Sequence, residues 1–431
     1  MIISGPFTDK LRRRSQKYFY LYNLLNGASY MCLGETIIIL LALKLKCRDS
    51  VVSTIGAMLF YGYVILPLGK FLAARIGAAS SQAVFWVARN FAALFVASSA
   101  FWYYCGHPTL AMTVLLSGAF LFYGFRAAGV VLMQPLVGNV TTPSERSTFL
   151  AFNSAFFYGS SLIALLAISL LLHFCDGIAP LIAIIIAGSI LGFTSSYFIK
   201  NICETDELKK AASGPFISGL RDALKNRSVR QQILSGMTMN LCLSMVFPIS
   251  MLTVKRGYGL SDKSALLYSI VQLLGSVLAA KYSATLTRQI GPRRMLITIY
   301  CTILCLALAW LVAPLKPHFL FIAPLFFMIG ATNMAQGNAI THYFLQTIPV
   351  REQVNATILI STFSGFLGGL SASLIAGFTL DMLAKHLPDM LPINRYKLYF
   401  ALILIILSIG IKSFTRLKVV TTAPSPSGMH N

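Results

Sequence analysis

Residues 178–199 read IAPLIAIIIAGSILGFTSSYFI, a run of 22 residues that contains no charged side chain. A helix needs about 20 apolar residues to cross the roughly 30 Å hydrocarbon core of a bilayer. This stretch therefore predicts a membrane-spanning helix. The whole chain has a matching composition, since 56% of its 431 residues are hydrophobic and only 11% are charged, against about 25% charged in soluble domains. These figures exclude a soluble fold.

Apolar segments of similar length recur along the chain and predict twelve spans. Turn and breaker residues separate them, for example Gly106-His107-Pro108 and Pro314 to Pro317. We therefore predict an all-α polytopic membrane protein with 12 transmembrane helices. The predicted spans are 18–43, 51–75, 82–104, 110–137, 147–173, 178–199, 231–254, 264–287, 293–313, 318–346, 353–384 and 396–415.

The charge distribution predicts the orientation of these spans. The chain has 35 Lys and Arg residues against 13 Asp and Glu, a net charge of +22. If both termini are cytoplasmic, 22 basic residues lie inside, ten lie outside, and Arg89, Arg126 and Lys281 lie within spans. The positive-inside rule then favours this orientation in the cell (inner) membrane. The basic residues are scattered over many loops, which favours contact with anionic lipid over nucleic-acid binding.

A long polar stretch from Lys200 to Arg230 separates six predicted helices from the next six. Part of it, residues 216–225, has one apolar face and is expected to form either a short surface helix or a solvated loop. The predicted units are an N-terminal six-helix bundle (1–200), a cytoplasmic linker (201–229), a C-terminal six-helix bundle (230–416) and a disordered tail (417–431).

The two halves also align weakly with each other. An offset of 206 residues pairs Gly124 with Gly330 and Gly159 with Gly365. These identities are few, but they fall at corresponding positions of the fourth and fifth helices of each half. Parallel repeats of six helices are typical of secondary transporters, which bind their substrate near the midplane between the repeats.

The loop after the second span matches part of a known motif, G-x-L-x-D-R-x-G-R-R, through Leu72, Arg75 and Gly77. On this basis the chain resembles the major facilitator superfamily over about residues 18–416. Lys70 and Ala74 replace the Gly and the Asp of the motif. The resemblance implies two six-helix bundles that alternate in access, with the gating contacts of the missing Asp either absent or rebuilt.

Two further motifs of the family bear on coupling and substrate. Arg126 stands where members carry the Arg of R-x-x-Q-G, a residue that the family associates with proton coupling. The fifth span lacks the G-P-x-x-G-G motif of drug/proton antiporters and offers only Gly159-Ser160-Ser161. The resemblance thus favours a proton-coupled transporter over a multidrug exporter.

Four ionisable residues within the spans are functional candidates, because charges inside a bilayer are energetically costly. By a rise of about 1.5 Å per residue, Arg126 lies roughly 17 Å from the inner end of its span, near the middle of the membrane. Arg89 and Lys281 lie only about 10 to 12 Å from theirs and either snorkel to the interface or belong to the site. Glu35 either titrates during transport or is an inert charge near the outer interface. We assign proton coupling to Glu35 and Arg126.

The resemblance places the first, fourth, seventh and tenth helices along the central cavity. Their polar residues either bind substrate or hydrogen-bond between helices. Three basic residues against one acid favour an anionic solute, and carboxylates or organic phosphates could bind Arg126 through two parallel hydrogen bonds. The predicted substrate-binding residues are Arg126, Asn26, Tyr30, Tyr123, Asn240, Asn333 and Gln336.

The sequence therefore predicts a secondary transporter of a small anionic organic solute, coupled to protons and acting as a monomer. We expect no catalytic residues, cofactor or metal site. An exporter of amphipathic compounds is the alternative within transport. Outside it, a membrane-embedded enzyme acting on lipid or cell-wall precursors would use Asp381, His386 and Asp389, and a sensor would move no solute.

Overall fold

The structure, a computed structural model, describes residues 2–3, 7–175 and 177–418. These residues form eighteen α-helices and one pair of two-residue strands. The helices of the first half are α1 (Asp9–Leu33), α2 (Glu35–Lys44), α3 (Asp49–Gly62), α4 (Pro67–Ile76), α5 (Ala78–Tyr104), α6 (Pro108–Val130), α7 (Met133–Val140), α8 (Arg146–Phe174) and α9 (Ile178–Lys200). Those that follow are α10 (Asp206–Ser213), α11 (Phe216–Lys225), α12 (Arg227–Leu252), α13 (Asp262–Ile290), α14 (Pro292–Leu311), α15 (Phe319–Thr347), α16 (Val350–Ile360), α17 (Gly369–His386) and α18 (Pro392–Thr415).

Each of the twelve predicted spans has a helical counterpart. Within the described residues, eleven helical segments are long and apolar enough to cross a membrane. The twelfth consists of Thr54–Ile65 and Pro67–Ile76, which meet at a bend of 45°. Proline has no N–H to donate and its ring clashes with the preceding turn, so the bend falls where Pro67 begins α4. The prediction of a many-helix membrane protein is confirmed.

The first span differs from its prediction at its start and in its middle. It begins at Asp9 instead of residue 18, and the Thr8 side chain caps it by accepting a hydrogen bond from Leu11 N. Its first turns are too basic for a search by hydropathy to detect. The helix then breaks at Gly34, whose ψ of 174° is extended, and α2 starts at Glu35. Broken membrane helices of this kind occur at transporter binding sites.

Close helix packing repeats between the halves. A Cβ atom added to Gly69 on α4 would collide with the carbonyl oxygen of Ala128 on α6. One added to Gly275 on α13 would collide with the carbonyl of Phe327 on α15. Gly69 and Gly275 are 206 residues apart, the offset at which the sequence pairs Gly124 with Gly330. The same helix pair is therefore in backbone contact in each half.

The segment between the halves is structured. Strand β1 (Ile2–Ile3) pairs in parallel with β2 (Glu204–Thr205). The fully buried Glu204 carboxylate accepts hydrogen bonds from the backbone N–H groups of Ala78 (2.7 Å) and Ala79 (3.3 Å) at the start of α5. Acidic groups are favoured at helix N-termini. Helices α10 and α11 follow on the same side of the protein, which we call the linker end.

The predicted tail lies mostly outside the described residues, which stop at residue 418. The structure describes only its first two residues. Leu417 is 2% exposed in the core of the second half, and the carbonyl of Lys418 accepts a hydrogen bond from the Tyr343 hydroxyl at 3.2 Å. Because the residues after 420 are polar, the composition of the tail did not predict that Leu417 and Lys418 contact the second half.

The two halves are joined at the linker end. Lys70 on α4 is 1% exposed, and its Nζ donates to Asn355 Oδ1 on α16 at 2.7 Å. The same ammonium lies 3.4 Å from the carbonyl oxygen of Pro215 and 5.5 Å from the ring centroid of Phe216, both in the linker. Lys70, which stands at the motif position of the Gly, therefore makes a buried contact between the two halves, while Ala74 stands at the position of the missing Asp.

Nearer the middle of the membrane, a π-helical segment (Ser361–Gly368) and the start of α17 pack against the second span. A Cβ atom added to Gly365 would lie 2.9 Å from the Tyr63 ring, and one added to Gly369 would collide with Phe60. Gly365 and Gly369, which are four residues apart, therefore form a close contact between the two halves.

Candidate solute-binding site

Arg126 lies in the first half within a group of tyrosines. Its guanidinium carbon is 4.7 Å from the ring centroid of Tyr30 on α1, a cation–π geometry. Tyr22, Tyr63 and Tyr123 are also within electrostatic range of it. Arg126 Nη1 is buried and has no hydrogen-bond partner among the described residues. An unpaired buried guanidinium N–H carries a large desolvation cost, so this group is available for an anion.

Glu35 lies near Arg126 without pairing to it. The two side chains interact electrostatically, but no N–O distance within 4.0 Å joins these two described residues. Glu35 is exposed, at the first position of α2, with its carboxylate beside Gly56 of α3. Negative charge is favoured in the first turn of a helix. The break at Gly34 thus leaves an accessible carboxylate next to the Arg126 site.

Tyr123 is 2% exposed, and its hydroxyl has no hydrogen-bond partner among the described residues. It is within electrostatic range of both Glu35 and Arg126. A buried hydroxyl normally has a partner. Tyr123 therefore has an unpartnered hydroxyl within electrostatic range of both charges.

Arg89 does not snorkel. It is 1% exposed, and its guanidinium donates to Asn26 Oδ1 (3.1 Å) and Ser29 Oγ (3.3 Å) on α1. Asn26 Oδ1 also accepts from Trp86 Nε1 at 2.9 Å. Asn26 was expected to contact solute, but its oxygen is committed to holding Arg89. Arg89 lies close enough to Arg126 to add to its positive potential.

Lys281 is not brought to this site. It is exposed on α13, beside Leu278 (54% exposed) and Tyr282 (72% exposed) on the outward face of the bundle. Its place near the linker end of α13 suits a side chain that reaches the membrane interface. The central charges are therefore Arg89, Arg126 and Glu35, a net charge of +1 instead of the +2 inferred for the spans.

The second half contributes an uncharged polar cavity of about 160 Å³ next to Tyr63. Asn240 on α12 lines it and donates from Nδ2 to the Ser364 carbonyl at 2.9 Å. Ser364 belongs to the π-helical segment, where the altered backbone pattern leaves carbonyls available to side chains. None of the described residues that line the cavity is charged.

Asn333 and Gln336 are half-buried on α15. Ile340 lies two turns beyond Asn333 on the same helical face and lines the cavity. The structure shows no contact between either amide and Arg126. Of the predicted residues, Arg126, Tyr30, Tyr123 and Glu35 thus lie near one another in the first half, and Asn240 lines the cavity of the second. Asn333 and Gln336 are not among the residues that line this cavity.

Sequence reasoning missed Tyr63, Tyr22 and the π-helical segment. Tyr63 both lines the cavity and approaches Arg126, so it joins the two parts of the site. It lies in a 3-10 turn just before the bend at Pro67. The proline could have indicated a bend, but nothing in the local pattern predicts which side chain the bend turns inward.

A sequence model of the Major Facilitator Superfamily matches residues 19–373. The chain belongs to this superfamily. No curated protein matches the sequence significantly. As a member of a family of secondary transporters, the chain is a multi-pass membrane transporter.

Solved structures share the fold at low sequence identity. A bacterial homologue of the iron transporter ferroportin in an outward-facing state is 14% identical, with a TM-score of 0.68 over 94% of this chain and 99% of that one. A proton:xylose symporter is 13% identical, with a TM-score of 0.71 over 94% and 95%. A human organic anion transporter is 12% identical, with a TM-score of 0.65 over 92% and 99%. At these identities the likeness concerns the fold.

Proposed function

We propose that this transporter moves a small organic anion by alternating access, coupled to protons. The observation that carries the proposal is the unpartnered, buried Nη1 of Arg126 among tyrosines. A carboxylate or phosphate bound there would supply the missing acceptor and offset the buried charge. Arg89 strengthens the positive potential, and the nearest acid, Glu35, leaves Arg126 unpaired.

Glu35 is the proposed proton carrier. It is accessible, it lies at the start of α2, and it shares an electrostatic environment with Arg126. Proton binding to Glu35 would remove the negative charge nearest the site and so strengthen anion binding at Arg126. Tyr123, with a free hydroxyl near both charges, is suited to relay that change.

We place the protein in the cell (inner) membrane as a monomer with both termini and the linker end in the cytoplasm. The excess of basic residues in the segments at that end supports this orientation. The linker end is closed by Lys70 and Asn355, so the Arg126 site would receive solute from the other side in this conformation. The proposed partners are a solute, a proton and membrane lipids, without a cofactor or catalytic activity.

The test is a binding screen followed by transport in proteoliposomes. Purified protein is exposed to carboxylates, phosphorylated metabolites, peptides and lipophilic cations, and thermal stabilisation is recorded. Anions that stabilise the protein are then offered to proteoliposomes with and without a pH gradient. Anion uptake that responds to the gradient supports the proposal.

Two other outcomes would oppose it. Stabilisation by lipophilic cations alone would favour the exporter of amphipathic compounds, for which the accessible Glu35 and the aromatic rings are the relevant features. Anion exchange that is insensitive to a protonophore would retain the substrate class and reject proton coupling. Asp381, His386 and Asp389, the residues that the enzyme alternative would use, are all exposed.

A further inference from the structure

A second cavity lies at the linker end, apart from the Arg126 site. Its volume is about 520 Å³, and none of the residues described around Arg126 lines it. One wall comes from α7 and α8 of the first half, another from α15 and α16 of the second half, and the start of the linker completes the lining. The halves meet beside it, since a Cβ atom added to Gly138 would lie 2.8 Å from Leu345 Cδ2. An occupant of this cavity would therefore contact both halves.

Arg146, the first residue of α8, lines this cavity and is only 6% exposed. Its Nε donates to Thr141 Oγ1 at 3.3 Å, and no described residue accepts a hydrogen bond from its Nη1 or Nη2. No carboxylate among the described residues lies within 4.0 Å of it. A buried guanidinium without partners carries a large desolvation cost. Two of its nitrogens are thus available to bind an anion.

The first turn of α16 provides further donors at the same cavity. Pro349 and Val350, where this helix of 11 residues begins, both line it. No side chain caps the helix, and the N–H groups of Val350 and Arg351 make no hydrogen bond with the described part of the chain. Glu352, the acid of this turn, accepts from Asn226 Nδ2 at 2.7 Å and does not line the cavity. Free N–H groups at a helix N-terminus favour an anion, which the nearby guanidinium would also bind.

The lining also contains unpaired hydrogen-bond acceptors. The Gln346 amide makes no hydrogen bond with the described residues, and its Oε1 is buried. Gln353 donates from Nε2 to the Ile348 carbonyl at 3.1 Å, which leaves its Oε1 free. Glu207, which is exposed, adds a carboxylate. An occupant that satisfies the whole lining must therefore donate hydrogen bonds as well as accept them.

The remaining polar side chains of the lining are used within the protein. Thr205 Oγ1 donates to Asn139 Oδ1 at 2.9 Å, and Asn139 Nδ2 donates to a backbone carbonyl at 3.1 Å. Thr347 Oγ1 donates to a carbonyl one turn earlier in α15 at 2.8 Å. Among the described lining residues, the unpaired side-chain donors are therefore those of Arg146 and Gln346.

We propose that this cavity binds a phosphate group and that the bound phosphate holds the linker end closed. Carboxylate and sulfate ions only accept hydrogen bonds, whereas a phosphate that retains a P–OH group also donates one. Phosphate monoesters have a second pKa of about 6, so this group persists in mildly acidic solution. The phosphate oxygens accept from Arg146 and from the first turn of α16, and the P–OH group donates to Gln346 or Gln353. Because both halves line the cavity, phosphate stabilises the conformation that brings them together.

Calorimetry on the purified full-length chain tests the site. Arg126→Gln protein is the parent, so that the proposed solute site does not contribute. Inorganic phosphate and sulfate are compared at about pH 6 and equal ionic strength, because the two ions have the same shape and sulfate has no proton to donate there. We expect phosphate to bind about tenfold more tightly than sulfate, the factor for one hydrogen bond.

Three substitutions in this parent locate the site. Arg146→Gln should weaken phosphate binding roughly tenfold to a hundredfold, as expected for a charged hydrogen bond. Gln346→Leu should reduce the preference for phosphate over sulfate roughly twofold to tenfold. Glu207→Gln should strengthen binding of both ions, because it removes a negative charge from the lining. Arg221→Gln is the control, since Arg221 is exposed in the linker and does not line the cavity. Melting temperatures of the unliganded variants report their folding.

Spin-label distances between the linker ends of the two halves test the effect on conformation. Lys70→Met is added to the parent, because it removes a contact that closes this end. Phosphate at about a hundred times its dissociation constant should then shift the equilibrium towards the closed form by about a hundredfold. The same addition should leave the distances unchanged when Arg146→Gln is also present.

Dihexanoyl phosphatidic acid, a lipid with a phosphate monoester headgroup, distinguishes two sources of the phosphate. Competition with inorganic phosphate at equal or higher affinity supports the site and assigns it to a lipid headgroup. Binding of inorganic phosphate without such competition supports the site and assigns it to free phosphate.

Other outcomes separate this inference from the proposed function. If phosphate binds the wild type but not the Arg126→Gln parent, it occupies the solute site, so this inference is wrong and the proposed function stands. The inference is also overturned if Arg146→Gln binds phosphate as the parent does, or if sulfate binds as tightly as phosphate. Phosphate binding that depends on Arg146, in a protein that transports no anion, would reject the proposed function alone.

Discussion

Lys70 Nζ and Asn355 Oδ1 lie 2.7 Å apart and join the two halves of the transporter at the linker end. The ammonium is 1% exposed and also contacts the linker through Pro215 and Phe216. A buried hydrogen bond to a charged group is worth about 1.5–3 kcal/mol. This contact therefore stabilises the conformation in which the linker end is closed.

Lys70→Met should shift the protein towards conformations that are open at the linker end. The expected change in the equilibrium is roughly tenfold to a hundredfold, from the energy of one charged hydrogen bond. Distances between spin labels at the linker ends of the two halves measure it. Lys281→Met is the matched control, because Lys281 lies on the outward face of α13. An unchanged distance distribution in Lys70→Met would contradict the role of this contact.

Gly369→Ala should disturb the contact between the halves. The added methyl group collides with Phe60, and overpacking of a tight contact costs about 1–3 kcal/mol. We expect a lower melting temperature and slower transport. Gly377→Ala, on the same helix, is the control because a Cβ atom there meets nothing within 4 Å. Equal effects of the two substitutions would show that closeness of α17 to Phe60 is unimportant.

Glu204 should make stability depend on pH. Burial raises the pKa of its carboxyl above the ordinary value of 4.5, and the hydrogen bonds from Ala78 and Ala79 act in the opposite direction. Because the pKa of Glu204 is higher in the folded protein than in the unfolded chain, the contribution of this group to stability is fully present below the unfolded pKa. It is lost as pH rises through the pKa of the folded protein.

Glu204→Gln should remove this pH dependence. Melting temperatures measured upwards from pH 4 should fall with pH more steeply in the wild type than in the variant. Glu207→Gln, which changes an exposed carboxyl in the same segment, is the control and should follow the wild type. Parallel curves for wild type and Glu204→Gln would contradict the prediction.

Glu35→Gln should uncouple transport from protons. The amide cannot take up the proton, so uptake driven by a pH gradient should be lost, while exchange of solute across the membrane should persist. Proteoliposome uptake with and without a gradient measures both activities. Gradient-driven uptake at the wild-type rate in the variant would eliminate Glu35 as the proton carrier.

The sequence predicted the helices well and the site only in part. Long apolar runs are decided by local composition, so the spans, and the position of Arg126 within one of them, could be read directly. Arg89 could not be placed, because its distance from the end of its span allowed snorkelling. Its actual position depends on Asn26 and Ser29, which are about sixty residues away in sequence.

Contacts between helices could not be predicted either, because they join residues that are far apart in the sequence. The repeat of Gly69 and Gly275 becomes visible only when the carbonyls that they contact are known. The replacement of the motif's Asp by Ala74 indicated only that the gating contacts of that Asp are absent or rebuilt, and it did not indicate that Lys70 contacts the second half. Its partner, Asn355, lies 285 residues further along the chain, and no local pattern connects the two.

Arg126 provides the most direct test of the account. Binding of the stabilising anions is measured by calorimetry for the wild type, Arg126→Gln and the control Lys281→Gln. We predict that the control binds as the wild type does and that Arg126→Gln loses about a hundredfold in affinity, since a charge-assisted bond of about 1.5–3 kcal/mol is lost together with the electrostatic attraction. Anion binding of wild-type strength in a correctly folded Arg126→Gln protein would contradict the proposed site.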